Sequence, residues 1–233
     1  MTGVVTTAKL SVTVLLLRVQ GETDLEVLMQ RRAAKMTFGG AWAFPGGSVE
    51  AADRRDAADE AGTLHNSVVR ETWEETSIRL PNPDELVTWG RWITPVSELR
   101  RFDTWFYAVA APPDQRAQPC GHESTALEWQ TPQRMIAAAM CGERLVFPPT
   151  WVTLADLADS WARHSSLPAM LAAERHREIL PLMPRVVGRA PAVNVLMPWD
   201  PAYTTGAGAD AAPLARIPDH LCRLPSCFKR PGS

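Results

Sequence analysis

The sequence predicts a mixed α/β (α+β) fold: a mixed β-sheet sandwiched between helices, then a helical and Pro-rich C-terminal extension. Three observations carry this prediction. Strand-like and helix-like segments intermingle without strict alternation up to about residue 145, which favours a mixed sheet with helices on its faces. Hydrophobic residues make up 45% and charged residues 21%, so the chain holds enough apolar surface for a core. Twelve of the 20 prolines lie after residue 145, where they interrupt regular structure.

The elements follow in order. Leu10–Val19 and Leu25–Arg31 alternate or run apolar with β-branched residues and read as strands. "AWAF", Ala41–Phe44, reads as a short strand stopped by Pro45-Gly46-Gly47. Asn66 and Ser67 are the expected N-caps of a helix running to about Ser77. The stretch before it, Arg54–His65, has few large apolar residues and is expected to form an exposed excursion. "LVTWGRWIT", "FDTWFYAVA" and "ALEWQ" supply three more strands. Thr131 caps a helix with Pro132 at its first position, ending near Cys141. In "TWVTLADLADSWA", Trp151, Leu154, Leu157 and Trp161 line one side of a further helix. The expected organisation is a domain over 1–145, a helical extension over 146–190 packed on it, and an irregular Pro-rich tail over 191–233.

Bulk properties narrow the function classes. A net charge of −2 gives no electrostatic support for nucleic acid or an acidic membrane surface. The N-terminal apolar run "LSVTVLLL" is too short to cross a bilayer and no small-residue cleavage site follows it, so a strand is expected there. The four cysteines, Cys120, Cys141, Cys222 and Cys227, are scattered. The spacing in "HLCRLPSC" does not suit a zinc knuckle, so reduced thiols of a cytoplasmic protein are expected.

"RETWEET", Arg70–Thr76, places Glu71, Glu74 and Glu75 within an arc of roughly 100° on a helix, given 100° per residue. Val69, Thr72, Trp73 and Thr76 fall opposite and are expected to pack on the sheet. Like charges at this spacing repel by a few tenths of a kcal/mol per pair. A charge run is usually a solvated face, but this one has a companion upstream in "FPGGSVEAAD", Phe44–Asp53. Two glycines after a strand let backbone turn sharply and approach a ligand closely. A hard divalent cation such as magnesium takes oxygen ligands, usually a few carboxylates plus water and substrate phosphates, and a bare backbone carbonyl can join them.

Together these two pieces resemble the Nudix hydrolase box: glycine, five residues, glutamate, seven residues, then Arg-Glu-aliphatic-x-Glu-Glu-x-Gly-aliphatic. Gly47 is followed by five residues and Asp53; "RETWEETSI" supplies Arg70, Glu71, Glu74, Glu75 and Ile78 in register. Asp53 stands for the first glutamate, Thr72 for the aliphatic and Ser77 for the glycine. Sixteen residues, not seven, separate Asp53 from Arg70. That interruption, with "WITP…RRFDTWFYA", "EWQTP" and "LVFPPTWVTLADLA", resembles the branch typified by peroxisomal coenzyme A diphosphatases. The likeness spans roughly residues 8–160.

The resemblance implies a Nudix fold and hydrolysis of a diphosphate joining a nucleoside to another moiety, with Mg2+ or Mn2+ as cofactor. By motif position, Gly46 (through its carbonyl), Glu71, Glu74 and Glu75 are the implied metal ligands. Any of the three glutamates can double as base, and Arg70 orients a glutamate. Glu123, in "CGHESTALEW", is a candidate further catalytic carboxylate, with Glu50 a similar case. The implied substrate is coenzyme A or acyl-coenzyme A, because "VLMQRRAAKMTFGGAWAFPGG" keeps Arg31, Gly40 and Phe44 of that branch's upstream pattern. Arg31, Arg32, Lys35 and Arg101 are the candidate substrate-binding cations, with Arg100 beside the last. Trp42 and Trp92 are candidate adenine platforms. The alternatives are ADP-ribose, dinucleotides or nucleoside triphosphates, and, in another class, a non-catalytic ligand-binding module. The expected partner is a small-molecule diphosphate, with no nucleic acid and no membrane; pairing as a homodimer is compatible with the sequence.

Overall fold

The computed structural model describes residues 6–36, 38–80, 82–119, 124–189, 192–203 and 227–229. Its main sheet holds β1 (Lys9–Gln20), β2 (Asp24–Arg32), β3 (Trp42–Ala43), β4 (Val87–Ile93), β5 (Phe102–Ala110), β6 (Ser124–Gln130) and β7 (Pro181–Leu182). The order is β3-β2-β1-β5-β4-β7, and β6 also pairs with β2. β1 and β5 run parallel in register from Lys9↔Phe102 to Leu17↔Ala110, whereas β1–β2 and β4–β5 are antiparallel. The sheet is therefore mixed.

The period-2 alternation of β1 explains the layering. Val12, Val14 and Leu16 point to one face, where Leu64 and Val68 of α1 (Glu60–Thr76) cover them. Leu15 and Leu17 point to the other, against α2 (Pro132–Met140), α3 (Pro148–Ala162) and α4 (Leu167–Glu174) through Met135, Leu154, Leu157 and Met170. Thr131 caps α2 by accepting from the Arg134 N–H, and Pro132 opens it, as the sequence signals.

Four expectations are corrected. α1 begins at Glu60, not near Asn66, because Asp59 is extended and accepts the Gly62 N–H as N-cap. The supposed excursion is thus largely helix: only 55–59 remain as loop after a short 3₁₀ turn, Ala52–Arg54, and Leu64 is buried. Asn66, expected as a cap, instead donates to the Asp53 carbonyl. On the face expected to meet the sheet, Thr72 and Thr76 are fully buried, but Trp73 is 40% exposed under the Arg79 guanidinium; of the three glutamates, Glu74 is exposed while Glu71 and Glu75 are buried. The chain after 174 is not simply helical and then irregular. β7 joins the main sheet beside β4, and β8 (Arg185–Arg189), β9 (Ala192–Leu196) and β10 (Cys227–Lys229) form a separate antiparallel sheet. The remaining tail positions, with His220 and Cys222, lie outside the described residues, as do Cys120 and the Cys227 side chain.

Candidate active site

The glycine turn is fitted into the space between β1 and α1. Val14 N–H donates to the Pro45 carbonyl and Val12 N–H to the Gly47 carbonyl, so 45–47 runs along β1 as a strand would. Alternation turns Gly46 the other way. Its N–H donates to Glu75 Oε2 at 2.6 Å, and among the described residues its carbonyl accepts no hydrogen bond. Gly46 sits at φ +150°, and a Cβ there would lie 2.2 Å from the Val12 carbonyl oxygen. At Gly47 a Cβ would lie 2.3 Å from Glu71 Oε1. Gly46 is therefore required by the backbone around it, a side chain at 47 would displace the Glu71 carboxylate, and the turn is moulded onto two of the three carboxylates.

Arg70 ties the rest together. Its Nε and Nη2 donate to both oxygens of Asp53 at 2.9 Å each. Nη1 donates to Glu71 Oε1 and Glu74 Oε2, both at 2.9 Å, and Nη2 also reaches the Ser48 carbonyl. Asp53, though one carbon shorter than the glutamate of the box, meets the fork because the longer α1 and the 3₁₀ turn bring it back to Arg70. Burial pushes the Asp53 carboxyl up, but Arg70's hydrogen bonds and the Glu50 N–H outweigh it and leave its pKa lowered. The Asp53 hydrogen bond likewise holds the Arg70 guanidinium above its ordinary value. Such bidentate, charge-assisted contacts are geometrically demanding, so Arg70 fixes the carboxylates rather than a ligand.

Glu75 is the unusual acid. It is 5% exposed and accepts from Gly46 N–H and from Gln30 Nε2, the latter at 2.9 Å. Burial pushes its pKa up to about 7; the Gly46 N–H opposes this and the Glu71 charge adds to it. Glu71 is paired with Arg70, whereas the hydrogen bonds of Glu75 come from two neutral donors, the Gly46 N–H and Gln30 Nε2. Among the described residues no three His, Cys, Asp or Glu side chains form a ready-made metal cage. Magnesium does not demand one: it is held by one or two carboxylates together with water and substrate phosphate. The unpaired Gly46 carbonyl, the cradle in which Gly47 receives Glu71, and the under-compensated Glu75 fit such an ion.

The remaining predicted residues are distributed as follows. Arg32 is near enough for its charge to favour ionised Glu75, and Arg31 and Lys35 are exposed beside it in sequence. Arg101 gives its guanidinium to the Thr94 and Thr6 carbonyls and the Met183 sulfur, so it knits the start of β1 to its surroundings. Arg100 and Glu50 are exposed. Glu123 lies outside the described residues. Trp42 and Trp92 are both buried in the core, Trp42 beneath the Arg144 guanidinium, so neither is a stacking platform. Gln30 was not foreseen. Its signal is faint: one glutamine directly after the apolar run "VLM" of β2, at a position whose side chain faces α1.

A sequence model of the NUDIX domain matches residues 7–149. The chain is similar to a NUDIX hydrolase from Alicyclobacillus acidocaldarius at 23% identity, over 72% of this chain and 97% of that one, with a TM-score of 0.62. That likeness is one of fold. More distant are the MutT protein of Methanosarcina mazei Go1 (21% identity, 69% and 97% covered, TM-score 0.48) and the NUDIX domain of Shewanella oneidensis NrtR complexed with ADP ribose (20%, 68% and 88%, TM-score 0.47). No curated protein matches the chain significantly.

Proposed function

The chain belongs to the NUDIX family, and from that premise we propose that it cleaves the diphosphate bond of coenzyme A or acyl-coenzyme A with Mg2+ or Mn2+. The single observation that supports catalysis best is the locked carboxylate group: Glu71 and Glu75 buried against Gly46-Gly47, and Arg70 holding Glu71, Glu74 and Asp53. Glu71, Glu74, Glu75 and the Gly46 carbonyl would hold the cation. Such an ion neutralises a diphosphate and acidifies the attacking water. Water forms a bond to one phosphorus, the bond from that phosphorus to the bridging oxygen breaks, and the second phosphate leaves. Any one of Glu71, Glu74 and Glu75 can take the proton of that water. Arg70 contributes position. A binding module that had lost turnover would not need the intact Glu71, Glu74 and Glu75 set. The catalytic unit is assigned to 1–145, with 146–190 packed on it and Met197 and Trp199 continuing that packing.

Coenzyme A rests on the interrupted box and on Arg31, Arg32 and Lys35 lying just before the glycine turn. A screen of diphosphate compounds with product masses tests it. Coenzyme A should yield 4′-phosphopantetheine and 3′,5′-adenosine diphosphate. Inertness toward coenzyme A beside brisk cleavage of ADP-ribose would transfer the assignment to the second substrate class.

A further inference from the structure

Glu75 Oε2 receives two hydrogen bonds, from the Gly46 N–H at 2.6 Å and from Gln30 Nε2 at 2.9 Å. An ionised carboxylate has about two acceptor positions on each oxygen. Oε2 is therefore saturated from within the chain, and Oε1 is left as the oxygen able to meet a cation or a proton. The Gly46 donor belongs to the glycine turn. The Gln30 donor comes from the middle of β2, so the carboxylate is gripped from two separate elements and cannot rotate to exchange its oxygens without losing both.

The orientation of the Gln30 amide follows from its neighbours. Its Nε2 faces two acceptors, Glu75 Oε2 and, at 3.4 Å, the Phe44 carbonyl. The amide nitrogen must point at them and the amide oxygen away. That oxygen is buried, with no hydrogen-bond partner among the described residues, on a side chain only 1% exposed. A buried unpaired amide acceptor costs about 1–3 kcal/mol. A strand position that only needed filling would be better served by leucine or methionine. Two features of the side chain thus point beyond packing. Its donor is committed to a candidate ligating carboxylate, and the amide is kept on the strand although its oxygen is left unpaired among the described residues.

We propose that Gln30 is a positioning residue that fixes Glu75 Oε2 and thereby presents Glu75 Oε1 to the cation and substrate. The inference rests on the functional reading above. It names a residue on β2, outside the glycine turn and the carboxylate helix, on which the working geometry depends. Partners that orient ligating carboxylates are typically worth tenfold to a hundredfold in metal affinity or activity.

Gln30→Met keeps length and apolar volume and removes both ends of the amide. Mn2+ binding to the full chain, followed by electron paramagnetic resonance without substrate, should weaken at least tenfold relative to wild type. In parallel, kcat should fall at least tenfold, with a smaller change in the KM for the diphosphate substrate. A lowered melting temperature with Mn2+ affinity and kcat both within twofold of wild type would reduce Gln30 to packing and overturn the proposal. Gln30→Asn, which withdraws the same amide by one carbon, is read by the same two thresholds if the methionine variant does not fold. Failure of the wild-type chain to bind Mn2+ would instead overturn the functional reading, so the two failures are distinguishable.

Discussion

Replacing Glu75 by glutamine should make the metal-free protein more stable and the enzyme nearly inactive. Glu75 Oε2 accepts both of its hydrogen bonds, so a glutamine carbonyl at the same place keeps them and only the charge is lost. The folded chain raises this carboxyl from 4.5 to about 7. A raised pKa means that the folded state holds the proton more tightly than the unfolded one. The penalty is therefore absent below pH 4.5, grows as pH rises, and is complete above about pH 7, where it amounts to about 3 kcal/mol. At pH 8 in chelator the variant should be the more stable protein by that order, which for a chain of this size is a melting-point gain of about 6–12 °C. At pH 4 the two should melt together. The wild type should lose stability between pH 5 and 8 relative to the variant. Initial rates with Mg2+ should meanwhile drop at least about a hundredfold, the usual scale for a catalytic carboxylate. Thermal melts across that pH range and a rate assay suffice. A variant no more stable than wild type at pH 8, or one with a wild-type rate, refutes the reasoning.

Arg70→Ala should destabilise by about 3 kcal/mol or more, since it leaves Asp53 buried without its cation; chemical denaturation at pH 7 measures this, and metal affinity should fall with it. Asp59→Ala should cost about 1 kcal/mol, a modest loss readable in a melt, because it removes the N-cap that starts α1 ten residues ahead of Arg70. Ser77→Gly should stabilise by about 1 kcal/mol, because Ser77 closes α1 at φ 59° where a side chain is strained. Added Mg2+ at a hundred times its dissociation constant should raise wild-type stability by about 3 kcal/mol and leave Glu75→Gln nearly unmoved.

The sheet was legible because its strands carry their own signals. β5 matches the expected Phe102–Ala110 in both ends, and Thr131-Pro132 marks the start of α2. α1 was misread at its start because its first turns, "EAGTLH", offer one buried large residue, Leu64, and a glycine. Its N-cap is an aspartate among several acids, with nothing local to single it out. The carboxylates were legible as a group, but their environment was not. A helical wheel places charge in solvent, whereas here the glycine turn lies on Glu71 and Glu75 and leaves Trp73 outside. The burial of those two carboxylates needs β1, the turn and α1 assembled at once. Gln30 is hidden for the same reason: its partner is 45 residues away in sequence. The short strands β8 and β9 were obscured by the prolines around them, Pro181, Pro184, Pro191 and Pro198, which read locally as loop.

The central claim is that this carboxylate group works on a diphosphate through a divalent cation. The most direct measurement is turnover of coenzyme A, acyl-coenzyme A and ADP-ribose by the wild-type chain, with Mg2+ or Mn2+ and with excess chelator, products being weighed by mass spectrometry. The account predicts phosphate-bearing products from at least one of these substrates in the presence of metal, coenzyme A first, and none in chelator. Full turnover in chelator, or no cleavage of any of them at saturating metal, would contradict it.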